Sequence, residues 1–419
     1  MGRGRDAARR VAVEQVLPGG LVLRPCRPAD LAQVGDLLAA RGDPTDAEDH
    51  RLVVEDPDTG WDSCAVVVDG DRVVSTATLL PESLRVGDVV LPAGQVELVA
   101  TDRSHEGRGL VRALMGWAHQ RSSARGDLVQ VMIGIPYFYR LFGYEYAVDI
   151  PKARPLRTPP EPAPGLLRTA RPADVTALAT LQAAAQLAAD VAMPHPAARL
   201  RWLVTHQAST TWVLERAGAV VASARVPSVG DPGPDDDVLV AEPTAADDAA
   251  AELLLRGVAG LAAGRPVRVP DRPASLPGRT WADRLGQGSD LAEQYYVRVP
   301  SPGALLEALR PVLGRRLADS GIDRTGRDVV VSTFGAHHRI AVTADGLGPV
   351  RTGGPMQAPA AASGAGVAPD QLGALLLGPH GMHGLSRRRP DVYPGRDTEL
   401  YEALFPPLHA DLLTYYLPY

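Results

Sequence analysis

Residues 95–125 read QVELVATDRSHEGRGLVRALMGWAHQRSSAR, and the succession of residue types in this stretch decides the fold. Gln95–Thr101 reads as a strand. Asp102–Gly109 is a turn carrying Gly107 and Gly109, and Leu110–Arg125 is an amphipathic helix. A strand feeding a glycine-bearing turn that opens a helix brings backbone N–H groups and the positive end of the helix dipole to one place, which suits a pyrophosphate. Any tight strand–helix turn also uses glycine. The stretch is not a P-loop, because no Gly-Lys-Ser/Thr follows, and it lacks the dinucleotide fingerprint G-x-G-x-x-G. Upstream, Val89–Leu91 reads as a separate strand joined through Pro92-Ala-Gly94. Downstream come a strand over Val129–Ile133 and the aromatic run Pro136-Tyr-Phe-Tyr-Arg-Leu-Phe-Gly-Tyr-Glu-Tyr146.

Outside this unit the chain repeats itself. LVLRPCRPADL at Leu21–Leu31 returns as GLLRTARPADV at Gly165–Val175, with Arg24/Arg168, Arg27/Arg171, Pro28/Pro172, Ala29/Ala173 and Asp30/Asp174 identical at a constant offset of 144. Each copy reads as a short strand, a turn placing Asp at a helix N-cap, and a helix with apolar residues at helical spacing. Between the copies, PKARPLRTPPEPAPG (Pro151–Gly165) holds six prolines that forbid a continuing helix or central strand, so it reads as a linker. Ser228–Asp237 is acidic and breaker-rich, a loop or hairpin tip. After Pro300 the pattern changes to a helix over Gly303–Leu317 with Pro311 as a kink point, strands over Asp328–Thr333 and His338–Val342, and a short helix near Asp370–Leu377. The expected division is 1–150, a linker over 151–165, then 166–300 and 301–419, in line with about three domains for this length.

Composition narrows the function classes. Hydrophobic residues make up 45% of the 419, enough for real cores, and 43 basic against 49 acidic side chains leave a net charge of −6. No general affinity for nucleic acid or an anionic membrane is expected. Lys152 is the only lysine, a bias that fits GC-rich coding. Cys26 and Cys64 are the only two cysteines, too few for a disulfide framework or a cysteine-based zinc site, and the histidine pairs His337-His338 and His380-x-x-His383 have no cysteines near them, so no metal is expected. Leu253–Ala263 is too short to cross a bilayer and is broken by Arg256, and the basic N-terminus has no apolar run to make a signal peptide. A cytoplasmic chain is the expectation.

The strand–turn–helix followed by the aromatic run resembles the GNAT superfamily of acyl-CoA-dependent N-acyltransferases. Their Arg/Gln-x-x-Gly-x-Gly/Ala signature cradles the coenzyme A pyrophosphate and maps here onto Glu106, Gly109 and Val111. Glu106 and Val111 depart from it, and Arg108 and Arg112 would supply the missing positive charge. In order and size the whole chain is similar to the family of the enhanced intracellular survival protein. That resemblance implies an α/β and α+β architecture of tandem GNAT folds, each a mixed sheet flanked by helices, followed by a sterol-carrier-protein-like α+β domain. It also implies that the first copy is catalytic and the second degenerate. In the second copy Val99-Ala-Thr101 should reappear near Val240-Ala-Glu242, followed by a turn without glycine where Asp247 and Asp248 would repel a pyrophosphate.

The site residues follow from the same resemblance. Tyr139 is implied as the general acid that protonates the departing sulfur of acetyl-CoA, or else it is a packed aromatic beside Tyr137, Phe138 and Phe142. The N–H of Val99 would bind the oxyanion, Val99, Thr101 and Arg103 would run along the pantetheine arm, and Arg103, Glu106, Gly107, Arg108, Gly109 and Val111 would surround the pyrophosphate. Two bases are open. One is the terminal carboxylate of Tyr419, at the end of an apolar, aromatic tail. The other is Glu97, which as a strand residue alternates with Val99 and Thr101 and is otherwise an ordinary solvent-facing carboxylate. The implied acceptor is an amine of a small molecule, aminoglycoside- or polyamine-like, and the implied assembly is a homo-oligomer, commonly a hexamer. The other readings are a transferase using another acyl-CoA or acceptor, and a non-catalytic protein that holds coenzyme A or a hydrophobic ligand.

Overall fold

The computed structural model describes residues 14–227, 237–291 and 293–412. Of the expected loop Ser228–Asp237 only Asp237 falls among them. Both copies of the repeat are built around one buried carboxylate. Asp30 accepts two bonds from Arg24, at 2.7 and 2.8 Å, and a third from the Arg27 N–H at 2.8 Å. Asp174 does the same with Arg168, at 2.7 and 3.1 Å, and with the Arg171 N–H at 2.7 Å. The aspartates stand at the expected N-cap positions of the helices that follow, but their side chains make no cap bond there and instead close the single turns Pro28–Asp30 and Pro172–Asp174. The helices Leu31–Arg41 and Val175–Gln186 then continue directly from those turns.

Five antiparallel strands, Gln15–Val16, Val22–Pro25, Cys64–Asp69, Arg72–Val86 and Val89–Thr101, form one side of the main sheet. The two short strands expected at 89–101 are one strand of 13 residues. Pro92 is tolerated inside it because pairing on its other side begins only at Ala93, opposite Val129, so the missing N–H removes no ladder bond there. The helix Leu110–Arg125 has the expected bounds and ends on Gly126 at φ +79°.

The expected boundaries at 150 and 300 do not separate the sheets. Gln294–Arg298, at the end of the second half, inserts into the first half's sheet between Val129–Met132 and Glu145–Asp149, antiparallel to both. In return Ala153–Pro155, inside the proline-rich segment, pairs antiparallel with Val267–Pro270 of the second half. It occupies a sheet edge, where proline is allowed. Each half thus carries a strand of the other, and their faces are further joined by the buried pair Arg199–Glu82 and by Arg201–Asp56 at 2.9 Å.

The second copy keeps the backbone of the first and loses its turn. Glu242 has φ +53°, where Leu98, 144 residues earlier, has φ +52°, and each lies in a bulge against its neighbouring strand. Val240 therefore answers to Val96, three residues from the expected alignment with Val99. Strands Val89–Thr101 and Ala241–Ala245 end at equivalent positions, but the helices that follow begin at Leu110 and at Asp248. The glycine turn is cut out, and Asp247 caps the second helix through the Ala250 N–H at 2.8 Å while pairing with Arg216.

The last third is a five-stranded sheet with short helices and the long helix Pro302–Ser320, which passes Pro311 without a break. Its core runs into that of the first half, with Leu84, Leu91, Val129 and Val148 in one buried cluster with Leu305, Leu309, Val331 and Leu375. The described chain ends on Ala410–Leu412, which pairs parallel with Val191–Met193, itself paired with Arg85 and Val86. Asp411 is buried there against Arg272, at 2.7 Å. Among the described residues no helix is long and apolar enough to cross a membrane. Removing one partner of such a pair leaves the other charge stranded, at about 3–5 kcal/mol. Asp411→Leu is therefore expected to lower the urea-unfolding free energy by that order, and the double variant Arg272→Met/Asp411→Leu to recover most of it.

Candidate active site

The site begins where two strands part. Val89–Thr101 and Val129–Met132 run parallel and pair only at Ala93–Gln95 with Val129–Val131. Beyond Gln95 they diverge, and a cavity of about 150 Å³ opens between Val96–Ala100 on one side and Met132–Ile135 on the other. Leu98 adopts φ +52°, so that Leu98 and Val99 together oppose Ala77, between the pairs Thr78–Glu97 and Thr76–Ala100. This bulge takes Leu98 and Val99 out of the ladder and breaks the alternation that put Glu97 on one face with Val99 and Thr101. Glu97 is 3% exposed, lines the cavity, and accepts a hydrogen bond from Gln95 Nε2 at 2.5 Å.

The aromatic run forms a single tight turn, Phe138–Phe142, entered through Tyr137 at φ +70° and closed by Gly143 at φ +83°. Tyr139 points into the cavity wall. Its ring lies on Gly134 so closely that a Cβ there would stand 2.3 Å from Cε2. Phe138 packs edge-on at 5.2 Å between ring centres, and Tyr296 at 6.0 Å. Burial, reinforced by the charge of Glu97, pushes the Tyr139 phenol up to about 12. Tyr296 comes from the exchanged strand. It stacks on Tyr146 at 4.1 Å, donates to the Tyr146 hydroxyl at 2.8 Å and to the Ile135 carbonyl at 3.3 Å, and so braces Tyr139 from behind. No sequence signal linked residue 296 to this site.

The turn Asp102–Gly109 is exposed at its tip. Gly107 and Gly109 have φ +74° and +78°, and nothing stands within 4 Å of where a side chain would begin on either. Asp102 holds the base of the turn by accepting from the Ser104 hydroxyl at 2.5 Å and the Ser104 N–H at 2.8 Å, which with the neighbouring Arg72 keep its carboxyl down at about 2. Glu106, whose charge opposed a phosphate-binding reading, is ion-paired with Arg41 from the helix Leu31–Arg41. Arg103 and Arg108 are exposed, while Arg112 stacks its guanidinium over Phe142 at 5.6 Å and Val111 packs against the cluster containing Tyr139. Thr101 shares a hydrogen bond with Ser75 at 2.7 Å at the strand's end.

The far wall of the cavity brings in one carboxylate, Asp46, beside Arg41. Leu38, Arg41 and Gly42 end one helix, and Asp46 opens the next, Asp46–Glu55. Burial, aided by the charges of Asp49 and Asp43, pushes the Asp46 carboxyl up to about 6. Tyr419 lies outside the described residues, which end at Leu412, whose carbonyl accepts from the Tyr295 hydroxyl at 3.2 Å. The second half has a much smaller void, of about 30 Å³, beside His195, Arg225 and Glu242, and Glu242 bonds the His195 ring at 2.7 Å.

Residues 23–147 match the family described as acetyltransferase (GNAT) domain. No curated protein matches the chain in sequence. A GCN5-related N-acetyltransferase from Kribbella flavida superposes with a TM-score of 0.64 at 18% identity, over 94% of this chain and 98% of its own. One from Anabaena variabilis does so with a TM-score of 0.66 at 14% identity, over 92% and 96%. Eis1 from Mycobacterium abscessus does so with a TM-score of 0.62 at 17% identity, over 94% and 100%. The parted strands, the bulge at Leu98 and the glycine turn before a helix thus lie in a stretch, residues 23–147, that matches the GNAT acetyltransferase domain family, in a chain that shares its fold with Eis1 and these GCN5-related proteins over nearly its whole length.

Proposed function

We propose that this acyltransferase moves an acetyl group from acetyl-CoA directly to an amine of a small cationic molecule, aminoglycoside- or polyamine-like, with Tyr139 as general acid. The observation that carries the reading is one cavity, at the mouth of the parted strands, lined by a buried protonated phenol, a buried carboxylate and a backbone bulge. The turn at Gly107, Arg108 and Gly109 and the first N–H groups of the helix at Leu110–Val111 receive the pyrophosphate, with Arg103 beside them. The pairing of Glu106 with Arg41 removes much of its repulsion. The pantetheine arm runs along Val99 and Thr101, and the thioester oxygen meets the N–H of Val99.

The amine nitrogen attacks the thioester carbon, and the oxygen gains charge against the bulge. As the carbon–sulfur bond breaks, Tyr139 hands its proton to sulfur, and the proton of the new amide nitrogen passes to a carboxylate. A phenol held at about 12 stays protonated throughout the working range, as an acid for a thiolate must. Glu97 is the base the cavity favours, being buried within it, and the Tyr419 carboxylate is its rival. Asp46 gives the acceptor's second positive charge a counter-charge, which supports a polyamine or aminoglycoside over a neutral amine.

Tyr139→Phe is expected to lower kcat for amine-dependent thiol release by about 10²–10⁴ with acetyl-CoA binding kept. Thiol release equal to wild type would remove Tyr139 from the chemistry, and coenzyme binding without release for any amine would favour a binding protein. Glu97→Gln and deletion of Tyr419, assayed separately, divide the role of base. Gly134→Ala is expected to lower kcat by about tenfold or more with the fold intact by circular dichroism, because the new methyl displaces the Tyr139 ring. Asp46 gives a pH test. Its folded value of about 6 lies above the ordinary carboxylate value, so its ionisation opposes folding, and this cost grows as pH rises from about 4 through 6. Asp46→Asn is expected to raise Tm by roughly 1–3 °C at pH 8 and to leave it unchanged at pH 4. The same change raises KM for a diamine by roughly 10–100-fold at pH 8, with KM for acetyl-CoA unmoved.

A further inference from the structure

The chain's only two cysteines meet inside the first half. Cys26 continues the strand Val22–Pro25 and stands opposite Cys64 on the neighbouring antiparallel strand, its N–H donating to the Cys64 carbonyl at 2.9 Å. His50, from the helix Asp46–Glu55, reaches the same point. Exposures are 3% for Cys26 and 0% for Cys64 and His50. The two Sγ atoms and a ring nitrogen of His50 lie within 4.8 Å of one another. Neither ring nitrogen of His50 has a hydrogen bond of normal geometry, although the ring is wholly enclosed, and its polar neighbour is the Cys64 thiol. The surroundings are apolar, with Val34, Leu38, Val53 and Val66 in the same cluster.

We propose that Cys26, Cys64 and His50 bind one zinc ion. Two thiolates and an imidazole form a soft donor set of the kind that selects zinc or copper(I) over calcium or magnesium. Charge decides between the two. Two thiolates, a neutral imidazole and Zn²⁺ sum to zero, whereas copper(I) leaves a negative charge in an apolar interior. Zinc–sulfur bonds of about 2.3 Å and a zinc–nitrogen bond of about 2.0 Å at tetrahedral angles set donors roughly 3.6–3.8 Å apart, a contraction of about 1 Å that side-chain torsions supply. The Thr76 hydroxyl, 3.4 Å from Cys64 Sγ, is the closest recorded oxygen to that sulfur and the candidate fourth donor. Binding releases two thiol protons and needs no oxidant or reductant. A Cys26–Cys64 disulfide would leave the His50 ring without a partner. The ligands sit at positions 26, 50 and 64, a spacing with no local motif, so the site is visible only in the fold. His50 follows Asp46 by one helical turn, so the ion would pin to the sheet the helix that opens on Asp46 in the cavity wall.

The full chain, unfolded with chelator and refolded with and without zinc, tests this independently of catalysis. Elemental analysis after desalting is expected to find about one zinc per chain, a higher Tm for the loaded form, and stoichiometric release on thiol blocking by a mercurial. Cobalt(II) in place of zinc is expected to give thiolate charge-transfer absorption that Cys64→Ser abolishes and His50→Gln alters. Should either variant fail to fold, the wild-type stoichiometry and cobalt spectrum still decide. A wild-type chain that takes up no zinc on refolding overturns the site. So does one whose denatured form titrates no thiols before reduction, the outcome of a disulfide.

Discussion

Two parallel strands that pair at three positions and then separate are the constraint on which the rest of this molecule depends. While Val89–Thr101 and Val129–Met132 stay bonded, there is a sheet and no site. Once they part, their inner backbone edges must be satisfied some other way, and the sheet has to be completed around the gap. The bulge at Leu98 and the aromatic turn at Phe138–Phe142 line the opening. The strand Gln294–Arg298 closes the far side of Val129–Met132 and brings Tyr296 against Tyr139. The second half therefore supports the wall of the first half's cavity from behind, which gives a physical reason for keeping a copy that has lost its own turn.

The two copies separate what backbone geometry requires from what chemistry requires. Asp30 and Asp174 are held by equivalent arginines, and the left-handed residue in the bulge persists from Leu98 to Glu242. These features belong to the fold. The eight-residue glycine turn between strand and helix is present once, and where it is absent Asp247 fills the helix terminus with its own carboxylate. A helix end already capped and charged by its own chain has no free N–H groups to offer an anion. In the second copy His195, Glu242 and Arg225 form a buried polar network, and Glu242 is the residue that stands at the position of Leu98.

Much of the first half was legible because its signals are local. The helix Leu110–Arg125, the glycine turn and the aromatic run are each specified by residues within a few positions of one another, and the repeat was visible as a shared string. That Glu97 does not share a face with Val99 and Thr101 was hidden because a bulge is one extra residue in a strand, and period-two alternation carries no warning of it. Glu106 looked like a defect in a phosphate site because its partner, Arg41, lies 65 residues away in the chain.

The sequence by itself determined the repeat, the strand–turn–helix order, the single glycine turn and the aromatic residues that follow it, since local spacing and φ-permissive residues are written directly in the residue order. Only the tertiary structure decided which carboxylates enter the cavity, that strands 153–155 and 294–298 change places, and that Cys26, His50 and Cys64 share one interior point. Each of these depends on packing between segments far apart in the chain. Such contacts form when apolar faces close over one another, and no periodicity along the chain records which faces those will be.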